Sequence, residues 1–302
     1  MPYILLTLSA LFWSGNFVLS RGMHAEIPPI GLAFWRWTIA LLILAPFGLR
    51  LVYQQRGLIK QHRKFMLFQG LLGVTGFNTL IYLAMQSTTA INAVLVNSCI
   101  PVIIVVISWI VYHEQLSLRQ LVGVLISLSG VLLIIAKGDV MALQQMTFNR
   151  GDLLVLTAAF IWAFYSANLR KYPQGLHPVA YLTGIMAIGL IFLAPCYLFE
   201  MWSGKYIQLN IPTVLTVGYV ALFASVLAFI CWNRAVREIG ANRAGPFIHL
   251  MPVFSTILAI IFLDETLLGY HVKGIFLVFT GIFLTTFAIR KKPVSSKGAV
   301  NK

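Results

Sequence analysis

Long apolar runs separated by short polar joints account for almost all of the 302-residue chain. A bilayer-spanning helix needs about 20 apolar residues, and ten runs reach that length. They cover 3–22, 29–50, 64–86, 90–112, 117–137, 151–171, 177–200, 211–236, 241–263 and 268–290. Polar residues inside the runs fall at helical spacing. Trp13, Asn16 and Ser20 share one face of the first. Thr75, Asn78, Thr79, Tyr82 and Gln86 form a stripe along the third. Asn97 and Pro101 share a face of the fourth, as do Gly245, His249, Pro252 and Thr256 of the ninth. The sixth and eighth add Trp162, Tyr165 and Ser166, then Ser225, Trp232 and Asn233. A polar stripe that cannot face lipid lines a cavity or bonds a neighbouring helix. The fifth and tenth carry small residues instead, at Gly123, Ser127 and Gly130, then Gly274 and Gly281. Small residues permit close helix contact, which marks these two as packing elements with no direct substrate role.

The pattern also repeats. Trp13, Arg21, Pro29 and Pro46 recur at an offset of 149 as Trp162, Arg170, Pro178 and Pro195. Ala90, Pro101, Glu114 and Gly123 recur at an offset of 151 as Ala241, Pro252, Glu265 and Gly274. Five helices per repeat is an odd number, so the second repeat inserts upside down. The expected fold is an all-α membrane protein of ten transmembrane helices in two inverted five-helix repeats. The first repeat is 1–140, the second 141–292, and 293–302 is a basic cytoplasmic tail. Inverted repeats are the architecture of alternating-access transporters, with substrate near the midplane; duplication for packing alone is the competing reading.

Composition agrees. The chain is 59% hydrophobic and only 10% charged, against about a quarter charged in soluble domains. A net charge of +14 could suggest nucleic acid, but sixteen of the 22 Lys and Arg lie in the loops and tail on the N-terminal side, against five opposite. That bias is membrane topology, and it places both termini in the cytoplasm of a bacterial-type inner membrane. The first run lacks a basic lead and a clear cleavage site, so it reads as a retained helix. Cys99, Cys196 and Cys231 lie far apart without metal spacing, and no GxxxxGK[ST] loop is present. No cofactor, no metal and no direct ATP drive are expected. The expected partners are a small-molecule substrate and the lipid bilayer, with no nucleic acid and a monomer as the unit.

Arg36 is the exception to the apolar rule. It lies inside the second run between Trp35 and Trp37, about 10 Å beyond Pro29. Every other charged residue falls at or beyond a helix end. A charge held in hydrocarbon faces a cavity or a partner. Its repeat counterpart is Ile185, so symmetry does not require it. A guanidinium offers a planar fork suited to a carboxylate; the alternative is a structural tie to a helix-end acid or carbonyls.

The ordered set LFWSGNFVLSRG (11–22), FWRWTIALLILAP (34–46), the stretch 90–134, AAFIWAFYSANLRK (158–171) and the stretch 241–284 resembles the drug/metabolite transporter superfamily, and within it the EamA-type ten-helix exporters. The resemblance covers nearly the whole chain. It implies a basket of ten helices, with the fourth and ninth broken near their centres and the fifth and tenth peripheral. It implies export of small metabolites, amino acids among them. The family's basic residue on the second helix corresponds to Arg36, and its acids ending the fourth and ninth helices to Glu114 and Glu265. His113 departs from the glycine common before the first of these acids.

The function expected is therefore a carrier, not an enzyme, that exports small amphipathic metabolites by alternating access. Substrate-binding candidates are Arg36, Trp13, Asn16, Asn78, Tyr82, Asn97, Trp162, Tyr165, Trp232 and His249. Glu114, Asp264 and Glu265 are candidates for gating or coupling, with solvation or pairing of Glu114 with Arg119 as the structural alternative. A lipid flippase or a ligand sensor on the same scaffold is the second reading. A membrane-embedded enzyme is the third, disfavoured because no nucleophile or carboxylate pair clusters in one plane.

Overall fold

A computed structural model describes residues 1–23, 26–88, 90–114, 117–139, 141, 149–263 and 267–286. Among the described residues all regular structure is helical. The first half contains α1 (Pro2–Gly22), α2 (Pro29–Gln54), α3 (Arg56–Gln61), α4 (Arg63–Gly70), α5 (Phe77–Ala84), α6 (Ala90–Asn97), α7 (Ile100–Tyr112) and α8 (Leu118–Ile135). The second contains α9 (Arg150–Asn168), α10 (Pro178–Trp202), α11 (Ile211–Tyr219), α12 (Ala228–Ile239), α13 (Ala241–Ala244), α14 (Leu250–Leu263) and α15 (Gly269–Thr286). Eight stretches among the described residues are long and apolar enough to cross a membrane. They are Pro29–Gln54, Arg63–Ala84, Asn92–Tyr112, Leu118–Ile135, Arg150–Lys171, Pro178–Trp202, Ile211–Ile239 and Gly269–Thr286. Residues 2–22 and 241–263 are helical too but stand outside that set.

Irregular turns sit where the bundle is tightest. A π-helical turn, Leu71–Gly76, joins α4 to α5, and a second, Val220–Leu227, joins α11 to α12. Their starts, 71 and 220, are separated by the same offset as Pro46 and Pro195, which lie inside α2 and α10. Gly73 permits the first turn to approach α9, since a Cβ there would meet the Tyr165 ring at 2.5 Å. The wider turn changes the angular step per residue. Thr75 consequently faces α10, where its hydroxyl donates to the Gly189 carbonyl at 2.9 Å. The continuous stripe expected of a regular third helix is thereby split. The fourth helix breaks at 98–99, between α6 and α7, and the ninth contains a 3-10 turn at Gly245–His249.

The α8 and α15 helices pack along each other through their glycines. A Cβ on Gly123 would lie 2.7 Å from the Gly281 carbonyl, and one on Gly130 would lie 2.6 Å from the Gly274 carbonyl. The small-residue spacing thus marks a packing seam, as the sequence indicated.

Side chains tie the two halves together at both ends of the bundle. At the end holding Pro2, the Gln55 amide donates to the Gly175 carbonyl and accepts from the His177 N–H, both at 2.8 Å. At the opposite end the buried Glu200 carboxylate accepts the N–H groups of Ile30 (3.1 Å) and Gly31 (2.6 Å). These are orphan donors at the start of α2, where helix geometry favours an anion. Asp152 forms a capping box with Asn149 at the start of α9, the dipole role its sequence position indicates. It also accepts from Thr88 and, at 3.1 Å, from Asn92 of the first half.

His113 ends α7 in the left-handed region, with φ 52°, and the Glu114 N–H reaches back to the Ser108 carbonyl at 3.0 Å. Glycine is the residue that enters this region without a Cβ clash. Replacing the exposed His113 with Gly should raise unfolding free energy by about 1 kcal/mol. A melting temperature in detergent that stays level or falls contradicts that reading of the cap.

Candidate functional site

The α2 helix carries Arg36 to the centre of the bundle, where it is fully buried. Its Nε donates to Ser225 Oγ at 2.8 Å. Nη1 donates to Asn78 Oδ1 at 2.8 Å and to Tyr82 Oη at 2.5 Å, and Nη2 to the Ala224 carbonyl at 3.3 Å. The second π turn positions two of these acceptors. Ser225 Oγ donates onward to the Val220 carbonyl, and the Ala224 carbonyl also receives the Trp13 indole N–H at 3.0 Å. Trp37 and Tyr82 present ring faces at 5.0 and 5.9 Å from the guanidinium carbon, adding cation–π attraction. No carboxylate bonds Arg36 among the described residues. A ring of neutral oxygens answers what pairs with it.

A small cavity lies beside this network. Trp13, Trp162 and Phe229 form much of its apolar wall, with Asn16, Asn78 and Asn97 as its polar lining. Its volume is ≈ 20 Å³, enough for about one water. Ligand sites for small molecules occupy about 300 Å³ or more. Occupation by a metabolite therefore requires the helices around it to separate. Asn78 Nδ2 and Asn97 Oδ1 are buried without a hydrogen-bond partner.

The sequence candidates divide by this geometry. Trp13, Asn16, Asn78, Asn97 and Trp162 line the cavity together. Arg36 and Tyr82 stand one layer behind, linked to it through Asn78 and through a 3.1 Å bond from Tyr82 Oη to Asn16 Oδ1. Trp232 and Tyr165 form the next layer on the other side. Trp232 packs against Trp13 and Trp162, with centroids at 5.4 and 5.8 Å, and donates to Ser166 Oγ at 3.2 Å. Tyr165 stacks on Trp162 at 5.1 Å and donates to Asn233 Oδ1 at 2.8 Å. His249 lies apart, bridging Ser127 Oγ (2.7 Å) and the Ser98 carbonyl (2.9 Å) where the fourth and ninth helices are irregular. The neighbouring tryptophans separate: Trp37 is fully buried, whereas Trp35 reaches the surface and donates to Tyr197 Oη.

Trp232 and Ser166 also form a boundary. Beyond Ser166, at the end holding Pro2, lies a polar vestibule of ≈ 240 Å³ bordered by Glu114, Arg170, Tyr172 and Arg237. Glu114 pairs with Arg170 at 3.1 Å and accepts from Asn242 Nδ2 at 2.7 Å. The Arg119 pairing expected from sequence proximity is replaced by Arg170, just beyond the end of α9, where the two halves meet. Arg237 lies 3.6 Å from the centroid of the Tyr172 ring. Burial pushes the Tyr172 phenol up to about 12 against the pull of that cation, so the ring remains neutral. Asp264 and Glu265 lie outside the described residues.

Sequence reasoning did not assign Phe229, Ile248 or Met251 to the site, though all three line the cavity. An apolar residue in an apolar helix gives no signal of which face it occupies. Ser225 had a signal, as a hydroxyl in a strongly apolar run, but its partner is distant in sequence.

The EamA-like transporter family model matches the chain twice, over residues 1–136 and 149–287. An uncharacterized transporter of Archaeoglobus fulgidus is 31% identical over 296 residues, covering 94% of this chain and 96% of that protein. The uncharacterized transporter YyaM of Bacillus subtilis is 25% identical, covering 98% and 96%. A Salmonella typhimurium protein named "Probable amino-acid metabolite efflux pump" is 25% identical, covering 94% of each. A crystal structure with 19% identity aligns over 93% of this chain and 95% of that one with a TM-score of 0.75, which shows a shared fold. Two matched halves, a helical membrane bundle and a small cavity with three asparagines between them are the features this match unites, and the chain belongs to the EamA-like transporter family.

Proposed function

We propose that the chain exports small amphipathic metabolites, amino acids or close relatives, by alternating access. The observation that carries this is the constricted cavity, with unpaired amide atoms, at the meeting of the halves. A site too small for its ligand is what a carrier presents between its two open states. Ten crossings in two inverted five-helix repeats, 1–140 and 141–292, supply the mechanics, and 293–302 form the cytoplasmic tail. The matched π turns and prolines support that symmetry. The loop charge bias supports an inner-membrane location with both termini cytoplasmic. The vestibule then faces the cytoplasm, with Glu114 and Arg170 at its mouth and Trp232 between it and the site. Trp13 and Trp162 contact the apolar part of the substrate, and the three asparagines orient its polar part. The efflux named for the Salmonella relative supports the direction.

Exchange flux in proteoliposomes tests this. Vesicles loaded with labelled amino acids should release label saturably when unlabelled substrate is supplied outside. Release that never saturates, or no release across a broad amino-acid panel, overturns the reading.

A further inference from the structure

Asn78 holds an atom assignment that chemistry alone fixes. A guanidinium only donates, so the atom 2.8 Å from Arg36 Nη1 must be the amide oxygen. The amide nitrogen therefore points away from Arg36. It is buried without a partner in a side chain only 5% exposed, on the cavity lining. An unpaired buried donor is unfavourable unless something is meant to satisfy it. Across the same lining, Asn97 Oδ1 is an unpaired acceptor in a side chain 6% exposed. Among the described residues no charged side chain lines the cavity. A ligand with net charge would lose its hydration there with no counter-charge in contact.

From this geometry we infer that Asn78 reads an acceptor oxygen of a net-neutral substrate, zwitterions included, while Arg36 is a positioning residue that locks the amide donor toward the cavity. The inference rests on the carrier reading above and names its substrate class. The buried cation one layer behind also favours a partial negative charge at Asn78, so a carboxylate or carbonyl end belongs there. The Asn97 amide is left for the substrate's other polar group, and the apolar body lies against Trp13 and Trp162.

Asn78→Asp is the decisive variant. It is isosteric, keeps an oxygen on Arg36 and replaces the donor with an acceptor. Exchange flux of labelled leucine, glutamate and lysine is measured in proteoliposomes, with melting temperature read in detergent. Wild type should move leucine and discriminate against the two charged probes. Asn78→Asp should melt no lower than wild type, because Arg36 gains a carboxylate, yet raise KM for leucine at least about tenfold. Should it fail to fold, Asn78→Ala, which leaves Arg36 three other acceptors, takes the same reading. Arg36→Lys, a donor-only side chain, should keep KM near wild type, whereas Arg36→Gln, which can accept, should raise KM with kcat less affected. A structural role would instead track side-chain size. An unchanged KM in Asn78→Asp overturns the assignment to Asn78 and leaves the carrier standing. Glutamate or lysine carried as well as leucine overturns the net-neutral class. Wild-type vesicles that move none of the three overturn both this inference and the carrier reading beneath it.

Discussion

Arg36→Ala should stop exchange flux and lower unfolding free energy by about 2–4 kcal/mol. Four buried oxygens receive its hydrogen bonds: Ser225 Oγ, Asn78 Oδ1, Tyr82 Oη and the Ala224 carbonyl. Leaving a buried polar group unpaired costs about 1–3 kcal/mol. Removing a buried cation recovers part of that sum, since its desolvation is relieved. The Ala224 carbonyl keeps the Trp13 indole and Tyr82 keeps Asn16, so those two lose least. Asn78 loses most: nothing then holds its amide in one orientation. The joint reading is melting temperature in detergent and flux in proteoliposomes. A variant that melts with wild type and transports normally contradicts the central role given to Arg36.

Trp232→Ala should open the site to the vestibule. The indole is only 1% exposed and fills the space between the cavity wall and Ser166. Truncating a buried Trp costs about 3–5 kcal/mol. More informative is the flux. With the partition gone, the cavity and the ≈ 240 Å³ vestibule join, so label should leave the vesicles without unlabelled substrate on the other side. Saturable exchange should give way to leak. If the variant folds and shows exchange without leak, the partition lies elsewhere. Asn233 and Tyr165, bonded at 2.8 Å in the same layer, are the next residues to test.

Local chemistry made much of this legible from sequence. Run lengths gave the helices, with boundaries such as Pro29 and Pro178 marked by proline at a helix start. Glycine spacing gave the seam between α8 and α15. Helical periodicity put Trp13 with Asn16, and both line the cavity. Periodicity failed at Thr75, because a π turn alters the residues per turn and no residue type announces one. Pairings between the halves were also hidden. Glu200 caps a helix start 169 and 170 residues away in the chain, and Glu114 takes Arg170 across 56 residues. Arg36 was visible as an anomaly, but its depth behind Asn78 was not: spacing along α2 says nothing about what α5 and the second π turn place in front of it.

Alternating access is tested most directly by locking each end of the bundle in turn. In a background with Cys99, Cys196 and Cys231 replaced by Ser, one variant carries cysteines at Glu114 and Asn242, and another at Gly31 and Glu200. These pairs hold the two halves together at opposite ends. A short, reducible bifunctional thiol reagent is applied to each in proteoliposomes. Either lock alone should abolish exchange flux, and reduction should restore it. Full flux with either end locked would contradict alternating access.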